Sequence, residues 1–183
     1  MLLKKANIIV TGPPGSGKTR LIQRIVEDLK NQGVAVGGLL TPEIRVGTER
    51  TGFHIVDIMT GEKGLMADAS LSSDVNVGRY GVNIDVIKEI GVNALTRAMS
   101  RCEVVVIDEI GKMELYSKEF QDVVEQVLLS EKPMIGTIGE KLRHPFTMKI
   151  KAMPSVKVMT LTRSNWDETY RQIKEMLSPT ADQ

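Results

Sequence analysis

Gly12-Pro13-Pro14-Gly15-Ser16-Gly17-Lys18-Thr19 is the stretch on which the reading of this chain turns. It meets the pattern G-x-x-x-x-G-K-[S/T] at every specified position. Its surroundings meet the same test. Ala6 to Thr11, with Ile8-Ile9-Val10 inside, predicts a short buried strand. Behind the motif, Leu21, Ile22, Ile25, Val26 and Leu29 recur at helical spacing, and Gly33 suits the C-cap. The residue types have physical reasons. Glycines let backbone N–H groups turn inward around phosphate oxygens without a Cβ in the way. The following helix adds about half a positive charge at its N-terminus. Gly12 to Thr19 are therefore the expected nucleotide-binding residues, with Lys18 reaching the β and γ phosphates and the Thr19 hydroxyl ligating Mg²⁺.

Outward from the loop, strands and helices alternate. A second strand is expected around Val34 to Thr41. From Glu43 to Asp68 glycines at 47, 52, 61 and 64 punctuate short strand candidates, Gly52 to Met59 and Lys63 to Ala67, which read as a β-meander attached to the main sheet. Ala69 to Asn83 lacks apolar periodicity and is expected to be loop. Asn83 or Asp85 can cap a helix through Ile87, Ile90, Ala94, Leu95 and Ala98. Glu103 to Ile107 is nearly all apolar, as in a central parallel strand. Phe120 to Leu128 predicts a helix, Pro133 to Ile138 and Ser155 to Leu161 predict strands, and Trp166, Tyr170, Ile173 and Leu177 mark a last helix. The alternation predicts an α/β fold, a mostly parallel sheet with helices on both faces. Ligands in such sheets collect beyond the carboxyl ends of the strands.

Two carboxylates end the central apolar run, Asp108 and Glu109. An Asp there is expected to hold Mg²⁺ beside Thr19. Glu109 beside the γ phosphate can take a proton from, or orient, an attacking water. A phosphotransferase has less use for such a group, because it must keep water away. In Ile110-Gly111-Lys112-Met113-Glu114, Lys112 could lend a positive charge to the γ phosphate, while Glu114 is also accounted for by a favourable place at a helix start. Arg79, Thr137, Thr41 and Glu43 are lesser candidates, each with an ordinary turn or surface reading beside the functional one.

Composition sets the outer limits. The 183 residues fit one domain and carry 24 Lys plus Arg against 23 Asp plus Glu, a net charge of +1. That balance argues against the basic field of a nucleic-acid binder, and no nucleic-acid partner is expected. The basic cluster Lys141, Arg143, Lys149 and Lys151 reads as a solvated face. The single cysteine, Cys102, lies beside an apolar run and reads as a small core residue; His54 and His144 have no partners at metal-ligand spacing. No apolar stretch near the start suggests a signal peptide or membrane span, so a soluble cytoplasmic protein is expected.

At this point a resemblance is clear. The phosphate loop, Gly38-Leu39-Leu40-Thr41-Pro42-Glu43-Ile44-Arg45, Gly52-Phe53, Val77-Gly78-Arg79-Tyr80-Gly81-Val82 and Asp108-Glu109-Ile110-Gly111-Lys112-Met113-Glu114 occur in order. Together, over roughly Lys4 to Leu177, the chain resembles the small nucleoside triphosphatase family of thermophilic prokaryotes, which includes the human cancer-related nucleoside triphosphatase. The resemblance implies a RecA-like P-loop fold in which another strand lies between the phosphate-loop strand and the acidic strand. It implies slow Mg²⁺-dependent hydrolysis of ATP, GTP and other nucleoside triphosphates, CTP and UTP among them, with Lys18 and Thr19 matching the family's phosphate and magnesium residues and Asp108 and Glu109 its acidic pair. With the reading of the residues themselves, Glu109, Lys18 and Lys112 are the expected catalytic residues, and Thr19 and Asp108 are expected at the metal. Many members carry Asn-Arg after the last strand, where the base is thought to lie. Here the run is Leu161-Thr162-Arg163-Ser164-Asn165-Trp166, and Arg163 is the candidate base-side contact. The expected organisation is a single P-loop nucleoside-triphosphatase domain over 1–178 and a frayed tail over 179–183. Two other classes stay open: a P-loop nucleotide or metabolite kinase, for which no arginine-rich lid is visible, and a non-enzymatic nucleotide-dependent RNA-binding switch.

Overall fold

In the computed structural model, which describes residues 3–179, the alternation read from the sequence becomes one mixed sheet. Its parallel half is made of β1 (Asn7–Gly12), β2 (Val36–Leu40), β8 (Val104–Asp108), β9 (Met134–Gly139) and β10 (Val156–Thr160). The antiparallel half is the meander of β3 (Glu43–Val46), β4 (Glu49–Asp57), β5 (Lys63–Asp68), β6 (Asn76–Val77) and β7 (Tyr80–Val82). The order across the sheet is β10-β1-β9-β8-β2-β4-β5-β7-β6, with β3 pairing to β4. β9 thus separates the phosphate-loop strand β1 from the acidic strand β8, as the resemblance implied.

Strand periodicity sends alternate side chains to opposite faces. Ile8 and Val10 of β1 with Val104 and Val106 of β8 pack beneath α1 (Lys18–Asn31) and α6 (Trp166–Met176). Ile9, Val105 and Ile107 go the other way, into a core shared with α3 (Asn93–Arg101), α4 (Lys118–Leu129) and α5 (Pro145–Ala152). Burial on both faces is why β8 reads as a continuous apolar run. In α1, Leu21, Ile22, Ile25, Val26 and Leu29 are all buried, each contributing roughly 1.5–3 kcal/mol relative to exposure.

The structure changes, narrows or adds to the expectations at three places. The stretch 69–83 is not all loop: β6 and β7 form a small hairpin there, on which Tyr80 and Val82 are buried. The helix after it begins as the single turn α2 (Ile84–Val86), capped by Asn83, whose Oδ1 accepts from Val86 N at 3.2 Å, and not by Asp85. It then passes through a π turn, Ile87–Val92, before α3. Finally, α5 has no counterpart in the sequence reading. It starts with Pro145, and the His144 ring Nδ1 caps it by accepting from Phe146 N at 3.1 Å. Of the expected tail, Pro179 makes an isolated bridge to Leu3, and residues 180–183 lie outside the described residues. Among the described residues no helix is long and apolar enough to cross a membrane.

Candidate active site

The phosphate loop turns from β1 into α1. Gly17 is the residue before the helix, at φ 93°, a left-handed conformation that glycine adopts at no steric cost. No side chain caps this end and no acidic residue sits in the first turn, so the helix start offers its N–H groups and its positive end to an anion. Lys18 folds back over the loop, Nζ donating to Gly12 O at 2.8 Å and Pro13 O at 3.1 Å. Arg163, in the turn after β10, donates from Nε to Gly15 O at 3.2 Å, so it does reach the loop. Trp166 follows, its Nε1–H donating to Gly17 O at 3.2 Å.

The acidic pair lies beyond the end of β8. Asp108 is buried, and the Thr137 hydroxyl on β9 donates to its Oδ1 at 2.6 Å. From the other side, Thr41 N and Oγ1 donate to Asp108 O at 2.7 and 3.0 Å, and Glu109 N donates to Thr41 Oγ1 at 3.3 Å. The Asp108–Glu109 peptide is cis. Thr41 thus holds the backbone of the acidic turn from β2, and Thr137 holds the Asp108 carboxylate from β9. Burial raises the Asp108 carboxyl, against the Thr137 and Thr19 hydroxyls and the Lys18 charge. Glu109 is half-buried; burial and the Asp108 charge raise it, and Lys18 and Arg50 oppose them.

Lys18, Thr19, Asp108, Glu109 and Lys112 line one cleft of about 340 Å³. Its other wall belongs to the meander: Glu43, Arg50, Phe53, Met66 and Val77. Arg79 is elsewhere, paired with Glu49 at 2.7 Å, donating to Arg50 O and lying over the Tyr80 ring. Glu114 does lie at a helix start, but of a short 3₁₀ helix and buried. It is 2% exposed in a 3₁₀ turn, Glu114–Tyr116, and α4 begins later with Ser117 as its cap. A Cβ on Gly111 would stand 2.6 Å from Glu114 Oε2 and 2.8 Å from Glu109 Oε1, so only glycine lets the two carboxyl groups crowd that point.

Burial, with the Glu109 charge adding to it, pushes the Glu114 carboxyl up to about 8. The folded protein thus holds a proton that the unfolded chain releases near the usual 4.5. Stability from this group is full below pH 4.5 and is lost as pH rises through about 8. Glu114→Gln keeps the shape and removes the titration. Its melting temperature is expected to match the parent at pH 5 and to exceed it by about 5 °C or more at pH 9. Melts at both pH values check this; a constant difference would show that Glu114 does not titrate in that range.

A glycine loop between β1 and α1, with an acidic pair ending a strand two places away in the sheet, defines a P-loop nucleotide-binding protein. The profile of the NTPase family matches residues 7–174, and the chain belongs to that family. It is 39% identical over 170 residues to the nucleoside-triphosphatase THEP1 of Methanothermobacter thermautotrophicus, covering 93% of this chain and 95% of that one. It is 41% identical over 170 residues to THEP1 of Thermotoga maritima, covering 93% and 94%. The crystal structure of THEP1 from the hyperthermophile Aquifex aeolicus superposes with a TM-score of 0.85 at 36% identity, covering 94% of this chain and 99% of that one. The solution structure of a human cancer-related nucleoside triphosphatase gives 0.81 at 32%, covering 97% and 100%.

Sequence reasoning missed Arg50, Phe53 and Trp166 as parts of the site. Phe53 stood within the family resemblance without a role. Trp166 closed the Leu161–Trp166 run without a role of its own, and Arg50 carries no local motif; the fold sets Trp166 against Gly17 and Arg50 in the cleft.

Proposed function

We propose that this protein hydrolyses nucleoside triphosphates to the diphosphate and phosphate, with Mg²⁺ and little selectivity for the base. The observation that carries this is Glu109 in one cleft with Lys18, Thr19 and Asp108. Residues 1–178 act as one domain in this reading. The loop N–H groups and Lys18 bind the triphosphate. The Ser16 hydroxyl, buried in the loop without a partner among the described residues, is a donor that a phosphate oxygen would satisfy.

The residues also fit the cation. Thr19 and Asp108 present oxygen donors, and Mg²⁺ is commonly held by one or two protein oxygens, phosphates and water. Among the described residues no cluster of three His, Cys, Asp or Glu side chains offers a site of another kind. When bound, the cation neutralises charge on the β and γ phosphate oxygens. The chain's residues do the rest. A water oxygen bonds to the γ phosphorus as the bond to the β,γ-bridging oxygen breaks. Glu109 takes the water proton, and the electron pair of the broken bond stays on the β phosphate. Lys112, exposed at the cleft, adds positive charge on the γ side.

In this reading the base lies at a groove of about 420 Å³ between α1 and α6. Trp166 stacks on Tyr170, centroids 5.7 Å apart at 11°, with the Arg20 guanidinium 5.3 Å from the Trp166 ring. Such a stack suits any base, because every base has a π-face. Trp166→Ala is expected to raise KM about tenfold for ATP, GTP, CTP and UTP alike. Trp166→Phe keeps the ring and is expected to stay close to the parent. A loss confined to one nucleotide would count against stacking.

The test of the function is phosphate release from the four triphosphates with Mg²⁺ and with chelator. All four are expected to turn over with Mg²⁺, within about tenfold of one another. Transfer of a labelled γ phosphate to an added acceptor in place of release would overturn hydrolysis in favour of a kinase.

A further inference from the structure

Arg50 stands just past the turn of the β3–β4 hairpin, opposite Arg45 in the ladder. Its guanidinium is fixed on several sides. Nε donates to Tyr80 Oη at 3.1 Å, and Nη1 donates to Glu43 Oε1 at 3.0 Å. The group lies 5.0 Å from the Phe53 ring centroid and 5.6 Å from that of Tyr80. Nη2 has no hydrogen-bond partner among the described residues. The side chain is 43% exposed, yet it lines the cleft that holds Lys18, Thr19 and Glu109.

No other arginine among the described residues lines that cleft. Arg79 is occupied by Glu49, and Arg163 lies on the Gly15 side of the loop. Arg50 and Lys18 both favour the charged form of Glu109, one from each wall of the cleft. Hydrolysis moves negative charge onto the bridging oxygen and the γ oxygens in flight. A guanidinium whose orientation is already set stabilises that charge without reorganising as the reaction occurs.

We propose that Arg50 is a further catalytic residue of this hydrolysis, a guanidinium supplied within the chain by the β3–β4 hairpin to the transferring γ phosphoryl group. Tyr80 and Glu43 position it. The inference rests on the hydrolase reading above, and the experiment separates the two.

Phosphate release is measured for the parent, Arg50→Ala, Arg50→Lys and Tyr80→Phe, with melting temperatures for each. Arg50→Ala is expected to lose roughly 10²–10³-fold in kcat, with KM for ATP changed less than about threefold. Arg50→Lys keeps the charge without the fork and is expected to stay at least about tenfold low. Guanidinium chloride at a non-denaturing concentration is expected to restore part of the Arg50→Ala activity. The same variant is expected to bind ADP with Mg²⁺ normally, but to lose the extra affinity that aluminium fluoride confers. A merely structural arginine would show neither effect. Tyr80→Phe releases Nε while sparing the ring and is expected to lower kcat about tenfold at unchanged KM, even if Arg50→Ala melts early. Full kcat in Arg50→Ala, or a rise in KM alone, overturns the assignment and leaves the hydrolase reading intact. A parent protein that releases no phosphate overturns both.

Discussion

Glu109→Gln is expected to bind nucleoside triphosphate and leave it intact. The amide copies the carboxyl in size, and the turn around it is held by Thr41 through backbone atoms that the change does not touch. What is lost is the basic oxygen that receives the water proton. General-base catalysis contributes about 10²–10⁴-fold, and kcat is expected to fall by that much while the dissociation constant for ATP stays within a few-fold. Single-turnover phosphate release and equilibrium nucleotide binding are the measurements. A variant within about tenfold of the parent kcat would mean that the γ phosphate itself, or another group, takes the proton. One consequence is practical, since Glu109→Gln would hold the triphosphate for structural work.

Lys18→Ala is expected to fail earlier, at binding. In the structure Nζ is held by two loop carbonyls, Gly12 O and Pro13 O, which keeps a charged group beside the anion position instead of in bulk water. A triphosphate replaces two neutral acceptors with charged ones, which make stronger bonds. Lys18 also offsets the charge of both carboxylates, so its removal leaves Asp108 and Glu109 closer to their neutral forms. The two effects act together, and kcat/KM is expected to drop by about 10³-fold or more. Because Lys18 supports no part of either core, the melting temperature without nucleotide is expected to change by less than about 2 °C. The stabilisation that nucleotide gives the parent is expected to disappear. Retention of that nucleotide-induced shift in Lys18→Ala would show that the loop binds phosphate through its N–H groups alone.

The readable parts of this protein were those whose causes are local. The loop from Gly12 to Thr19 carries its reason in consecutive residues, and β1, β8 and α1 show their burial in the spacing of Ile, Val and Leu. The 76–82 hairpin was not readable, because strands of two and three residues are too short for an alternation to register. The helix α5 was hidden by its length of eight residues and by lysines inside it, with only Pro145 to announce its start. Glu114 misled for a different reason. A carboxylate near a helix start has an adequate explanation in the helix dipole, and nothing in the neighbouring residues says that Glu114 is buried beside the acidic turn. Arg79 and Arg50 show the general limit. Both follow glycine-containing turns, and only the pairing of β4 with β2 and β5 decides which of them lines the cleft.

That pairing also bears on motion. β4 is laddered to β2 through Leu39 with Asp57 and Leu40 with Val56, and β5 flanks it on the other side. Many phosphoryl-transfer enzymes cover the reacting groups with a loop that hinges shut in each cycle. Here the corresponding wall is an extension of the central sheet. Swinging it away would break ladder bonds and pull Ile55 and Leu39 from the core they share. The cleft is therefore a cup cast in place. Pro14 and Lys112 are exposed at its mouth.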